Sequence, residues 1–439
     1  MSPSQNPENT SWFERATAKM LYAWDGHKVL VALMGQVFIT MLGIGIVGPI
    51  MPLYARSFGV SAALVGSLIT AFGVARILTN IPAGGLSERV GRRPLLIAGP
   101  LLTSLAALLT GLATQFPQLI VFRLIQGLGS ALQTTTAMTT MADITTREAR
   151  GRYMSLYQGS LLLGQSFGPA LGGLVAERWG FRAVYFVYSG LALLAAIWAF
   201  SVVPETREHI HKASAPTKTA ANPVDCAGES RGAALALLAE PGFILVSLVT
   251  LGIFFTRTGS RSTVLPLFGS SLLGLSPGQL GFTFTFIAIW NLLTLNCSGV
   301  LADKLGRKAV IVPGCVLSGL ALWVFSMSGS YTLFLVSAAL LGISTGLAGP
   351  APAAYVADLA KPGQYGLTMG IYRTFGDVGV SVGPILLGWL SDRFTYAFAL
   401  RTNALMLIVF GLAFGLWAKE TMRRRAPASA TGSRGDVRA

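Results

Sequence analysis

A ten-residue phrase, Gly84-Gly-Leu-Ser-Glu88-Arg89-Val-Gly91-Arg92-Arg93, returns 215 positions later as Gly299-Val-Leu-Ala-Asp303-Lys304-Leu-Gly306-Arg307-Lys308. Two copies in register make the chain two versions of one unit. Each copy is a short charged turn between long apolar runs, 62–86 and 94–112 for the first, 277–301 and 309–328 for the second. A helix needs about 20 apolar residues to cross a ~30 Å hydrocarbon layer. Runs of that order recur at 29–54, 62–86, 94–112, 118–140, 153–175, 182–203, 242–268, 277–301, 309–328, 331–356, 366–388 and 397–418. The expectation is an all-α membrane protein, with twelve transmembrane helices in two pseudo-symmetric six-helix bundles, 29–203 and 242–418.

Composition matters for what it excludes. With 52% hydrophobic and 12% charged residues, the chain is not built like a soluble domain. Its formal charge of +15 is scattered over short loops and the C-terminal tail, not gathered in a stripe with aromatics, so nucleic acid is not an expected partner. Orientation accounts for the cations. Arg89, Arg92 and Arg93, then Arg147, Arg150 and Arg152, then Lys304, Arg307 and Lys308 fall on one side, whereas 113–117 and 329–330 carry no charge. The positive-inside rule then makes both termini cytoplasmic, in a multi-pass protein of a plasma membrane, here a bacterial inner membrane. Cys226, Cys297 and Cys315 offer neither a paired framework nor a metal cluster, and no cofactor is expected.

Outside the bundles, 1–28 is an N-terminal segment in which Trp12, Ala16, Met20 and Trp24 recur every fourth residue, as in a short interfacial helix or a disordered tail. Residues 204–241 read as a flexible cytoplasmic linker, and 419–439 as a basic cytoplasmic tail. Glu205-Thr206 has an echo 215 residues on, at Glu420-Thr421. A finer repeat, Gly-x-x-x-acid-base, stands at Gly84-Glu88-Arg89, Gly173-Glu177-Arg178, Gly299-Asp303-Lys304 and Gly388-Asp392-Arg393. Three spans separate successive copies within a half, so they emerge on opposite faces, as inverted three-helix repeats require.

Charged and polar residues inside the spans are the candidates for function, because a charge at mid-bilayer costs at least ~3 kcal/mol. Arg257 and Arg261 share one face of span seven and call for a polar cavity; Gln36, Gln126 and Gln133 are placed with them, the last two on the Arg123 face of span four. Asp377 is the carboxylate set deep within a span and hence the candidate proton carrier, with a structural ion pair as the alternative. Gly164, Gly168 and Pro169 in span five, and Gly379, Gly383 and Pro384 in span eleven, give flat, bendable helix faces, placed at the seam between bundles, with ordinary small-residue helix packing as the alternative.

The repeated phrase resembles the signature loop of the major facilitator superfamily, which lies on the cytoplasmic side between helices two and three and again between eight and nine. Gly43-Ile-Gly45-Ile-Val-Gly48-Pro49-Ile-Met-Pro52 resembles the first-helix signature of twelve-span drug:proton antiporters, and Gly164-x-x-x-Gly168-Pro169 their fifth-helix motif. The resemblance runs from about 29 to 421. It implies a monomeric secondary transporter of a small organic compound, working by alternating access with proton-coupled efflux, in which Gly84, Glu88, Arg89, Gly91, Arg92 and Arg93 and their counterparts Gly299, Asp303, Lys304, Gly306, Arg307 and Lys308 gate the cytoplasmic side. It also links Arg123 to proton transfer, for which snorkelling to the interface is the alternative, and faces span two against span eleven, so that Arg76 meets Asp377 at one depth, with Arg373 as competitor. Span one lacks the acid that several multidrug members carry there, so cationic-drug specificity does not follow. An organic anion carrier with a cationic cavity stands as the second reading. A non-transporting sensor has no appended signalling domain to support it, and an enzyme would need convergent catalytic groups that the spans do not offer.

Overall fold

The computed structural model describes residues 12–145, 150–205, 237–360 and 365–421, with side chains from Lys28 onward. Most of the linker, the tail beyond Thr421 and the side chains of Arg147, Arg150 and Arg152 lie outside the described residues. The chain is all-α. Its elements are α1 (Trp12–Val47), α2 (Ile50–Arg56), α3 (Ala62–Val90), α4 (Arg92–Leu112), α5 (Phe116–Asp143), α6 (Arg150–Val202), α7 (Pro241–Phe255), α8 (Thr256–Val264), α9 (Leu265–Leu272), α10 (Pro277–Leu305), α11 (Lys308–Ser326), α12 (Tyr331–Ala348), α13 (Ala351–Leu359), α14 (Tyr365–Arg393) and α15 (Tyr396–Trp417).

Nine stretches among the described residues are apolar and long enough to cross a bilayer. One of them, Tyr153–Val202, is long enough for two crossings, and α6 turns at Gly180, where φ is 80°. The more polar α5 and α14, at 28 and 29 residues, are as long as α3 and α10, at 29 residues each. The fold is therefore consistent with twelve crossings. Spans one and ten are interrupted at Pro49 and Pro350, which cannot donate an intrahelical hydrogen bond. The N-terminal segment is helical from Trp12 onward, and α1 runs into the first span without a break.

Two buried apolar clusters each belong to one bundle, one built on Leu33, Met141 and Tyr157, the other on Phe243, Ile311 and Phe414. A third joins the bundles through Ile50, Leu68, Leu265 and Leu280. The joint core lies away from the basic loops. Pro384 there packs against Gly66, Gly388 against Ala62, and Pro169 against Gly281, each so closely that a Cβ on the glycine would overlap backbone. Near the basic loops a Cβ on Gly84, Gly85, Gly299 or Gly370 would meet nothing within 4 Å. The bundles are thus closed together on one face and splayed on the basic one.

The glycine motifs divide between two jobs, which corrects the assignment of all of them to the seam. Gly164 and Gly168 pack on Phe38, Leu42 and Gly45 of α1, and Gly379 and Gly383 on Leu251 and Phe255 of α7, each within its own bundle. Pro169 and Pro384, one residue further round the helix, carry the contacts across the seam. At about 100° per residue, positions four apart share a face whereas the next residue points elsewhere.

Candidate functional site

The two repeated loops are built alike. Gly91 and Gly306 adopt φ of 108° and 106°, a region that favours glycine, and so allow the helix-to-helix turn. Each turn exposes the free N–H groups of the next helix, and a carboxylate from the end of the same half receives them. Glu205 accepts from the backbone N–H of Arg92 and Arg93 at 2.9 and 3.1 Å, and Glu420 from Arg307 and Lys308 at 3.0 and 3.0 Å. Arg92 pairs with Asp143 at 3.1 Å and donates to Ser87 at 2.8 Å; Arg307 pairs with Asp358 at 3.3 Å and Asp303 at 2.6 Å. Partial burial disfavours the Arg307 charge, yet the hydrogen bonds it donates to Asp303 and Asp358 outweigh that and hold the guanidinium above its ordinary pKa. Arg93 reaches the Phe200 carbonyl and Lys308 the Ala418 carbonyl, both at 2.6 Å. Among the described residues Glu88 has no hydrogen-bond or ion-pair partner, and it is exposed. Arg89 and Lys304 sit beside the turns on the exposed surface.

On the opposite face the other two acids of the finer repeat bridge the bundles. Asp392, at the end of α14, accepts from the backbone N–H groups of Ala62 and Ala63 at the start of α3, both at 2.8 Å. Glu177 sits against Gly278 at the start of α10. A carboxylate at a helix N-terminus meets unpaired N–H groups and the positive end of the dipole, typically worth 0.3–1 kcal/mol at the surface. Thr70 to the Ser381 carbonyl at 2.6 Å and the Ala170 N–H to Thr285 at 3.0 Å add hydrogen bonds across the same seam.

Between the faces lies a set of charges at mid-span. Arg76 is the middle residue of α3, Arg257 sits near the middle of the 32-residue span Pro241–Leu272, and Asp377 is two residues from the middle of α14. The Asp377 carboxylate is within electrostatic reach of Arg373 and then of Arg76, and Arg76 of Arg257. No described Arg or Lys nitrogen lies within 4.0 Å of that carboxylate, so the expected Arg76–Asp377 pair is not made in this state. Arg257 is exposed although it sits near mid-span. Its one hydrogen bond crosses the seam to Gln165, at 3.4 Å.

The span carrying Arg257 and Arg261 is wound as a π-helix over α8, Thr256–Val264. Such widened turns cluster at functional sites. Asn403 of α15 secures the inner side of the turn by donating to Thr256 and Ser260 at 3.0 and 2.7 Å. Thr256 and Ser260 are thereby turned inward, and Arg257 and Arg261 keep the exposed and half-buried positions.

Three expected cavity residues do not line it. Gln36, Gln126 and Gln133 are 1, 0 and 3% exposed. Gln36 donates to the Leu96 carbonyl at 2.7 Å and Gln133 to Thr40 at 2.8 Å, tying α1 to α4 and α5, while Gln126 accepts from Arg123 at 2.9 Å. An amide on a glycine-rich helix face serves helix packing as readily as solute binding, and the neighbours decide which. Arg123 itself is half-buried, lies over the Phe72 ring at 6.0 Å and is held there by its hydrogen bond to Gln126.

A family model for the Major Facilitator Superfamily matches residues 33–289 and 250–437. The chain belongs to the major facilitator superfamily. Within it, "Multidrug resistance protein 2" of Bacillus subtilis (strain 168) is 28% identical over 397 residues, covering 89% of this chain and 96% of the relative. Two solved structures share the fold. A bacterial homologue of the human lysosomal transporter Spinster, in an inward-facing, unoccupied conformation, has a TM-score of 0.73 at 16% identity, covering 89% of this chain and 95% of that one. A D-xylose–proton symporter has a TM-score of 0.71 at 18% identity, covering 90% and 98%. This superfamily member is a multi-pass membrane transporter.

Proposed function

We propose that the chain is a proton-coupled secondary transporter that exports small organic compounds by alternating access. Asp377 carries this reading: it is half-buried at mid-span, on the helix that meets the other bundle, with no direct ion pair among the described residues. A carboxylate in such a place can take up or lose a proton as the bundles rock, and a partner held in one state alone makes that proton a switch. Arg76 of the opposite bundle is the proposed partner in the other state. Efflux is supported by the names of the relatives. With the basic loops taken as cytoplasmic, the splayed face is the inward one, which accords with the inward-facing neighbour.

The test is transport in proteoliposomes under an imposed pH gradient. Asp377→Asn is expected to abolish gradient-driven flux while leaving substrate counterflow, which needs no proton movement. Gradient-driven flux in Asp377→Asn equal to that of the native protein would overturn the reading.

A further inference from the structure

We propose that the central cavity is built to receive an organic anion, an oxyanion such as a carboxylate or sulfonate on an apolar body. The inference rests on the transporter reading above and names the substrate class of that same cavity. Arg76, Arg257, Arg261 and Arg373 converge on the seam, whereas Asp377 is the acid set among them. Whichever guanidinium Asp377 serves, positive charge is left over in a place where an isolated charge is costly.

The hydrogen-bonding capacity is unused as well. A guanidinium offers five donors, yet the 3.4 Å contact of Arg257 with Gln165 is the one side-chain hydrogen bond that these four make among the described residues. Nε of Arg76 is buried without a partner. Paired, planar donors of this kind match the two oxygens of a carboxylate or the face of a sulfonate. Arg76 belongs to one bundle and Arg257, Arg261 and Arg373 to the other, so an oxyanion between Arg76 and Arg257 would join the halves where these four arginines make just the long 3.4 Å contact of Arg257 with Gln165 across the seam.

An apolar body fits beside the charges. Phe72 is half-buried, with Arg76 over its ring at 5.8 Å, and Phe254 is half-buried against Gly376, next to Asp377. A lipophilic cation entering here would meet four arginines and, among the described residues, a single carboxylate.

The experiment measures binding of three probes with one ring system, naphthoate, its methyl ester and naphthylmethylammonium, to the purified protein in nanodiscs. Naphthoate is expected to bind most tightly, with an affinity that falls as salt rises. Arg257→Gln and Arg261→Gln should each weaken naphthoate at least tenfold and the ester less than twofold, whereas Arg257→Lys and Arg261→Lys, which keep the charge but lose the planar fork, should fall between the native protein and the Gln variants. Thermal melting of every variant separates misfolding from lost recognition. Tighter binding of the ammonium probe, or equal loss for naphthoate and ester in the well-folded variants, would overturn the inference. Proton-driven flux of a cation would refute anion selectivity and leave the transporter reading standing; anion-selective binding with no gradient-driven flux would do the reverse.

Discussion

At the scale of single residues, the turn glycines and the carboxylates that cap the following helices carry the firmest expectations. A side chain at Gly91 would be strained at φ 108° and its Cβ would run into the Glu205 carboxylate. Gly91→Ala is expected to destabilise the N-terminal bundle by about 1–3 kcal/mol, the cost of holding a side chain in a backbone region that is essentially reserved for glycine, and Glu205→Gln by about 1 kcal/mol, as for a lost cap. Both should appear as lower melting temperatures, and an unchanged melt in Gly91→Ala would refute the strain argument. These roles were only partly legible in the chain. The Glu205 and Glu420 echo is visible, but nothing local says that each folds back on the loop 113 residues earlier. Asp143 and Asp358, the partners of Arg92 and Arg307, also stand 215 apart. Their pairing shows in the alignment of the two whole halves and in no single motif. The glutamines failed for another reason: burial depends on the neighbouring helix, which a single helix's sequence does not contain.

At the scale of elements, one helix shows how packing and function are kept apart. In α6, Gly168 meets the backbone of α1 inside its own bundle, and Gly173 meets α10 of the other. A valine at either site overlaps backbone, but the consequences differ. Gly168→Val should damage the bundle itself, by more than the ~1–3 kcal/mol typical of overpacking, and lower the melting temperature. Gly173→Val should leave the bundle intact and instead exclude the state in which α6 and α10 touch, raising accessibility from the closed face at near-native stability. Similar losses of stability in both would show that the seam is part of one rigid core. Span positions were legible because apolar runs of membrane length leave few alternatives. The division of a glycine motif between two neighbours was not, since both faces read as small residues. The π-helical turn was equally hidden, because Asn403 and the hydroxyls of Thr256 and Ser260 come from different spans.

At the scale of the whole molecule, the four acids of the finer repeat form two opposed pairs, and the structure catches one pair engaged. Asp392 and Glu177 sit on the starts of α3 and α10, helices of the bundle opposite to their own, on the closed face. On the splayed face Glu88 has no described partner, and Asp303 is held by Arg307 of its own loop. The inverted repeat supplies the missing state: as Asp392 at the end of α14 caps the start of α3, Glu88 at the end of α3 would cap the start of α14 when the basic face closes. Each cap adds about 1 kcal/mol to whichever state it joins, roughly a fivefold shift in population, and two independent caps give about thirtyfold. Asp392→Asn with Glu177→Gln should therefore favour the state closed on the basic face, and Glu88→Gln the state described here. Single cysteines at Ser381, on the seam, and at Gly370, near the basic loops, in a background without Cys226, Cys297 and Cys315, can report this with membrane-impermeant thiol reagents applied from either side. The double variant should label faster at position 381 and slower at 370, and Glu88→Gln should do the opposite. Rates unchanged at both positions would mean that apolar contact alone sets the balance between states, and that these carboxylates cap helix ends without acting as latches.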